Sequence, residues 1–208
     1  LIEYILDNNP DDRILKRAKE QLLAGKIIVV PTDTNWVFLG DPFKKEAVEK
    51  LYRLKKEEKS HHFSLLVDSI SKASELAEIS DAAFKLIRNK IPGNYTFIFE
   101  ATKKMTKVLK ASKTDHQIGI RFVPVNFIKK LLEIYEGPLI STNIHEGLMK
   151  REFSPEELFS YEIEDVLGNE VSMIIDPGEP VFIGPSTIYD LRGEDFEIIR
   201  EGAGPKLF

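Results

Sequence analysis

Apolar positions in the first quarter of the chain fall into two spacings. Ile14, Leu15, Ala18, Leu22 and Leu23 recur at helical intervals, and Gly25 behind them can take the left-handed turn that ends a helix. Asn9-Pro10-Asp11-Asp12 reads as the start of that helix, because proline loses nothing at a first helical position and acids suit the positive end of the helix dipole. KIIVV at 26–30 is β-branched and predicts a strand. Asp41-Pro42 then repeats the start signal ahead of the stripe Phe43, Ala47, Val48, Leu51 and Leu54. Further strands are expected at 63–67, 95–101, 118–123, 139–144, 171–175, 186–191 and 196–201. Helices are expected at 72–78, 81–90, 104–111, 126–135 and 155–166, the last opened by Ser154-Pro155. Strands and helices alternate without a strict βαβ rhythm. The pattern therefore predicts a mixed α/β (α+β) fold, a twisted mixed sheet covered by helices in a single domain over residues 1–208.

Composition narrows the class. The 208 residues are 42% hydrophobic, enough for a sizeable core, with no repeat or low-complexity tract. No apolar run approaches the ~20 residues that cross a bilayer, and LIEYILDNNPDD lacks the features of a signal peptide, so a cytoplasmic protein with no membrane partner is expected. The absence of cysteine excludes disulfides, thiolate metal sites and cysteine nucleophiles. A net charge of −5 gives no bulk attraction to nucleic acid, which leaves local patches. One patch is Lys50, Arg53, Lys55, Lys56 and Lys59, and another is Lys103, Lys104, Lys107, Lys110 and Lys113. Residues 152–170 carry seven acids and no base. Solvated helix faces are the plain reading of such runs.

Familiar site motifs are missing. There is no GxxxxGK[ST] and no GxGxxG between strand and helix. His61 and His62 would point to opposite faces of a strand, and His116 and His145 stand at no metal-binding spacing, so no metal site is expected. RLKKEEKSHHFSLL at 53–66 can be read as a solvated loop, a metal site or a pocket wall. VVPTDTNW at 29–36 runs an apolar strand into three short polar side chains, which suits either a capped turn or a ligand site at a strand end. LISTNIHEG and GPSTIYD repeat that property. Arg121 inside the apolar IGIRFV needs an anionic partner, whether a structural carboxylate or a ligand.

PTDT at 31–34, RLK at 53–55, PGNYTFIF at 92–99, IGIRFVP at 118–124, GPLIST at 137–142 and PSTIYDL with IIREG within 185–202 together resemble the YrdC/YciO family, in the family's order. HHFSLL with PGNYTFI is more similar to its YciO branch. The resemblance implies a twisted open α/β sheet with a concave basic surface, binding an adenine nucleotide and double-stranded RNA or tRNA. In the YrdC branch it implies synthesis of L-threonylcarbamoyladenylate from L-threonine, bicarbonate and ATP with Mg2+, as ligands rather than permanently bound cofactors.

By the same resemblance Thr32, Thr34, Ser141 and Ser186 would offer hydroxyls to the ligand, Arg121 would meet a carboxylate, Lys55 a phosphate, and Arg200 would line the cavity. The YrdC branch's Lys-x-Arg falls on Lys55-Lys56-Glu57, and its Ser-x-Asn on Asn143-Ile144-His145, so Asn143 and His145 enter the candidate site as altered positions. Leu39 stands where the family usually carries glycine, with Gly40 one position later. This pattern predicts a nucleotide- and RNA-binding protein whose synthase chemistry is lost or altered, with a working synthase as the alternative.

Overall fold

The computed structural model describes residues 1–55, 63–109 and 116–208. After the short strand β1 (Ile2–Tyr4), helix α1 (Asp12–Leu23) buries Ile14, Leu15, Ala18 and Leu22. It starts later than Asn9-Pro10 suggests, because the Asp11 carboxylate is the cap that accepts the Arg13 N–H, at 2.8 Å. It closes at Gly25, φ +73°, where Gly25 N–H reaches Leu22 O at 2.9 Å and Lys26 N–H reaches Gln21 O at 3.0 Å, the paired bonds of a Schellman ending.

Next come β2 (Ile28–Pro31), β3 (Trp36–Gly40), α2 (Lys45–Lys55), β4 (Ser64–Leu66), α3 (Ile70–Ser74), β5 (Ala77–Glu78), α4 (Asp81–Ile87) and β6 (Tyr95–Ala101). The second half holds α5 (Lys103–Leu109), β7 (Gln117–Arg121), α6 (Asn126–Tyr135), β8 (Leu139–Asn143), α7 (Glu146–Met149), α8 (Ser160–Leu167), β9 (Met173–Asp176), β10 (Thr187–Asp190) and β11 (Glu197–Arg200). Among the described residues these strands form one open sheet in the order β1-β9-β2-β3-β8-β4-β7-β6-β10-β11, with β5 beside β6. β1, β9 and β2 run parallel, as do β4 with β7 and β6 with β10; the remaining neighbours are antiparallel.

Several elements depart from the sequence reading for identifiable reasons. β3 escapes period-two reading because every one of its residues is buried: Trp36 and Phe38 enter one core, Val37 and Leu39 the other. α2 begins at Lys45, because Asp41 instead closes a tight turn by accepting the Phe43 N–H at 2.8 Å. The expected helix at 72–78 ends early, since Ala77 and Glu78 pair with Ala101 and Glu100 of β6. The expected helix at 155–166 splits into a 3-10 turn, Pro155–Glu157, and α8. Between them Leu158 is extended, and its carbonyl accepts the Trp36 indole N–H at 2.9 Å. Residues 110 and 111 of the expected 104–111 helix lie outside the described residues.

The two faces of the sheet are covered unequally, and this creates the site. On one face α2, α3, α4, α5 and α8 contribute Leu51, Ala73, Ile87, Met105 and Ile163 to a core that runs from Ile174 of β9 to Tyr189 of β10. On the other, α1 and α6 cover Ile28, Val30, Val37, Leu39 and Leu139. Burying a Leu, Ile or Phe side chain contributes about 1.5–3 kcal/mol, so each covered region is strongly specified. Beyond α1 and α6, the strand positions of the same parity change from large and apolar to small or polar. Leu139 gives way to Ser141 and Asn143 on β8, and Gln117, Gly119 and Arg121 follow on β7. Gly40 serves packing: a Cβ there would stand 3.2 Å from Leu51 Cδ1 and 3.3 Å from Ala47 Cβ, so its absence lets α2 lie close on β3.

The charged runs also find partners. Lys50 and Arg53 of the first basic patch both reach Glu170 from the acidic run, at 3.3 and 2.7 Å. Lys103, Lys104 and Lys107 lie on α5, with Lys104 Nζ 5.0 Å above the Phe43 ring. Lys56, Glu57, Lys59, His61, His62, Lys110 and Lys113 lie outside the described residues.

Candidate functional site

The open half of the second face forms a cavity of about 370 Å³. Its floor is a rank of registered strand residues: Ser141 of β8 faces Ser64 of β4, Ser64 faces Gly119 of β7, and Gly119 faces Ile98 of β6. The small residues Ser141, Ser64 and Gly119 leave the depth. A Cβ on Gly119 would already stand 3.4 Å from the Phe63 carbonyl oxygen and 3.4 Å from Thr96 Cγ2. Phe63, Ile98 and Ile188 give apolar wall, and Pro155 and Pro185 stand at the rim.

One end of the cavity is built by the β2–β3 turn. Thr32 is its staple: its hydroxyl donates to Asn35 O at 2.9 Å and accepts from Thr34 N–H at 3.2 Å and Asn35 N–H at 3.3 Å. Since that hydrogen is committed to Asn35 O, the Thr34 hydroxyl donates to Thr32 Oγ1 across 3.0 Å and in turn accepts from Arg121 Nη1 at 3.2 Å. Arg121 is fixed on its remaining sides as well. Nη2 donates to both Asp33 oxygens, at 2.7 and 3.0 Å, and Nε donates to Tyr95 O at 3.2 Å. The pair is enclosed, with side-chain exposures of 7% for Arg121 and 2% for Asp33. Asn94 completes it by donating to Asp33 Oδ2 at 2.7 Å and to Gly184 O at 3.2 Å. The carboxylate that Arg121 needs is thus internal, while the arginine also lines the cavity. The guanidinium carries five N–H donors, and these contacts do not exhaust them.

A second cation lines the same cavity. Arg200, on the edge strand β11, donates to Ser186 O through Nε at 3.2 Å and Nη2 at 2.8 Å, and to Ser186 Oγ at 3.3 Å. Ser186 Oγ lies 2.8 Å from Thr96 Oγ1, which joins the two walls. Burial, and then the positive charge of Arg121, hold Arg200 below the usual arginine range. Two guanidiniums therefore face one hollow. Among the described residues lining it there is no carboxylate and no imidazole. Such a surface attracts an anion and offers hydroxyl and amide groups to orient it.

Of the residues the sequence singles out, Thr34, Arg121, Ser141, Asn143, Ser186 and Arg200 line this cavity together. Thr32 does not reach it, because its hydroxyl is consumed inside the turn. His145 turns away from it and bonds Leu54 O at 3.1 Å. Lys55, the last residue of α2, is buried with its ammonium 4.5 Å above the ring of Phe63, so it stands behind a wall residue rather than in the wall. Asn35, Ser64, Thr96, Gln117 and Gly119 were not singled out, and they line the cavity too. Their signal is parity: Ser64, Thr96 and Gly119 each put a small or polar side chain on a strand position flanked by apolar neighbours, and Gln117 keeps the same parity two residues before Gly119. Magnesium finds no carboxylate among the described lining residues, and no cluster of histidines and acids among the described residues could hold a metal ion.

Comparison with known proteins covers nearly the whole chain. The Sua5/YciO/YrdC family model, described as "Telomere recombination", matches residues 20–202. "Uncharacterized protein YciO" of Escherichia coli is 35% identical over 205 residues, spanning 97% of this chain and 95% of that protein. Its crystal structure superposes with a TM-score of 0.84 at 31% identity, covering 99% of this chain and 97% of that one. "Putative threonylcarbamoyl-AMP synthase" of Methanocaldococcus jannaschii is 28% identical over 202 residues, 97% of this chain and 92% of that protein. The fold also matches Pyrococcus abyssi Sua5 complexed with L-threonine, with a TM-score of 0.82 at 21% identity, covering 97% of this chain and 57% of that one.

Proposed function

The chain belongs to the Sua5/YciO/YrdC family, with greater identity to YciO than to the threonylcarbamoyl-AMP synthase of M. jannaschii, and on that premise we propose that its cavity binds an adenine nucleotide while synthase chemistry is lost or altered. The observation that carries this reading is the convergence of Arg121 and Arg200 on one hollow without an acid among its described lining residues. The hydroxyl oxygens of Thr34, Ser141 and Ser186 and the apolar side chains of Ile98 and Ile188 supply polar and apolar contacts for a nucleotide, with the Ser141 hydrogen already given to Ser64 O at 3.1 Å. Magnesium would travel on the nucleotide's own phosphates.

Formation of an acyl adenylate gathers negative charge at the α-phosphate, which calls for cations placed beside it. In this chain the Ser-x-Asn pair of the YrdC branch is replaced by Asn143 and a His145 that points elsewhere. A calorimetric titration with ATP, with and without magnesium and threonine, tests the reading. ATP is expected to bind without release of pyrophosphate when threonine and bicarbonate are added. Absence of ATP binding sinks it.

Retention of Lys55 beside the wall, with the resemblance to a putative synthase, favours a second reading as a working L-threonylcarbamoyladenylate synthase. That reading requires threonine-dependent pyrophosphate release that Lys55→Ala abolishes. Combining Glu57→Arg, Asn143→Ser and His145→Asn separates the two: a large gain marks a decayed synthase, no gain a pocket turned to another ligand. Binding of tRNA or double-stranded RNA is proposed through the α5 lysines and should weaken steeply with salt. No helix among the described residues is long and apolar enough to cross a membrane, and a cytoplasmic location is proposed.

A further inference from the structure

Helix α2 runs to Lys55 among the described residues, and the carbonyl of its Leu54 is met by His145 Nε2 at 3.1 Å. A carbonyl only accepts, so Nε2 carries the hydrogen. His145 occupies the N-cap position of α7, yet its ring makes no bond to that helix. The imidazole reaches across to α2 instead.

Both ends of this contact are anchored. On the strand side, Ile144 is buried and its N–H donates to Trp36 O at 2.9 Å, while Leu148 N–H reaches His145 O at 3.0 Å. On the helix side, Leu54 is packed into the core. The next residue is Lys55, whose ammonium rests on Phe63, a cavity wall residue. The last described turn of α2 is packed through Leu54 and paired through Arg53 to Glu170 at 2.7 Å, and the imidazole adds the tie to the end of β8.

We propose that His145 is a positioning residue, a latch from the end of β8 to the last turn of α2 that sets where Lys55 stands at the cavity. This rests on Lys55 serving the cavity from behind Phe63, as the second reading above requires. The latch needs a donor at the reach of Nε2. A glutamine amide nitrogen attains that reach and an asparagine amide does not.

Competitive amine labelling read by mass spectrometry follows Lys55 directly, with no ligand needed. In His145→Ala and His145→Asn the labelling rate of Lys55 should rise about fivefold, the ratio one net hydrogen bond is worth. His145→Gln should label as wild type does. Tyr189→Phe, on β10 four strands from β8, removes the acceptor of the Leu207 N–H and should leave Lys55 unchanged even if it melts earlier. In parallel, ATP affinity should fall in His145→Ala and return in His145→Gln. Equal labelling in wild type and His145→Ala, failure of glutamine to restore it, or an equal rise in Tyr189→Phe overturns the latch. Failure of wild type to bind ATP overturns the proposed function instead, and the labelling still decides the latch.

Discussion

Replacing Asp33 by asparagine probes the joint on which the cavity is hung. Asp33 receives three hydrogen bonds, two from Arg121 Nη2 and one from the Asn94 amide, and both partners are donors. An asparagine must place its NH2 where one carboxylate oxygen stood, so donor faces donor at one position and a buried guanidinium loses its counter-charge. Removing one partner of such an enclosed pair costs about 3–5 kcal/mol. For a domain whose total stability is about 5–15 kcal/mol this is a large share. At about 2–4 °C per kcal/mol for a chain of this size, Tm should fall by about 6–20 °C.

Urea and thermal unfolding followed by circular dichroism read the loss directly. A second variant separates the ion pair's stability from its role at the cavity. Asp33→Leu with Arg121→Met removes both charges, and should recover much of the lost stability while anion binding is weakened by the loss of the Arg121 cation. The reasoning is refuted if Asp33→Asn loses less than about 1 kcal/mol, the range of a neutral hydrogen bond. It is refuted equally if the double variant is no more stable than the single one.

Three further outcomes follow from the geometry. Gly119→Leu should fill the cavity floor and lower ATP affinity at least tenfold, whereas Gly119→Ala, whose Cβ meets its neighbours at 3.4–3.5 Å, should change it little; calorimetry distinguishes them. Trp36→Phe leaves the Leu158 carbonyl without its indole donor and should lower stability by about 1–3 kcal/mol in urea unfolding. Asp190 is held below the usual carboxylate range by the Arg192 side chain, so its contribution is present above its unfolded pKa and lost as pH falls through the lower folded value; acid titration of Asp190→Asn should lack that portion of the decline.

The elements most legible in the sequence are those with one wet face. β6 at 95–101 and α6 at 126–135 are bounded as their patterns predict, because alternation and helical spacing are visible when half the positions are polar. β3 is illegible for the converse reason: both of its faces are dry. The need of Arg121 for a counter-charge is likewise plain from its apolar strand, yet the partner lies 88 residues away in a motif that also reads as a simple turn. Lys55, Phe63 and His145 show the same limit, since their contacts join separate elements.

Local chemistry is what the sequence by itself determined: helix and strand type, a chain without thiols, family membership, and the presence of an arginine that could not stand alone. Tertiary structure decided which polar groups face the hollow and which are spent elsewhere, turning Thr32 into a staple, Asp33 into a counter-ion and His145 toward a helix end. The physical reason is that hydrogen bonds and ion pairs across a sheet depend on strand order and register. Those are set by how α1 and α6 cover one half of a face and leave the other open, which no short window of residues contains.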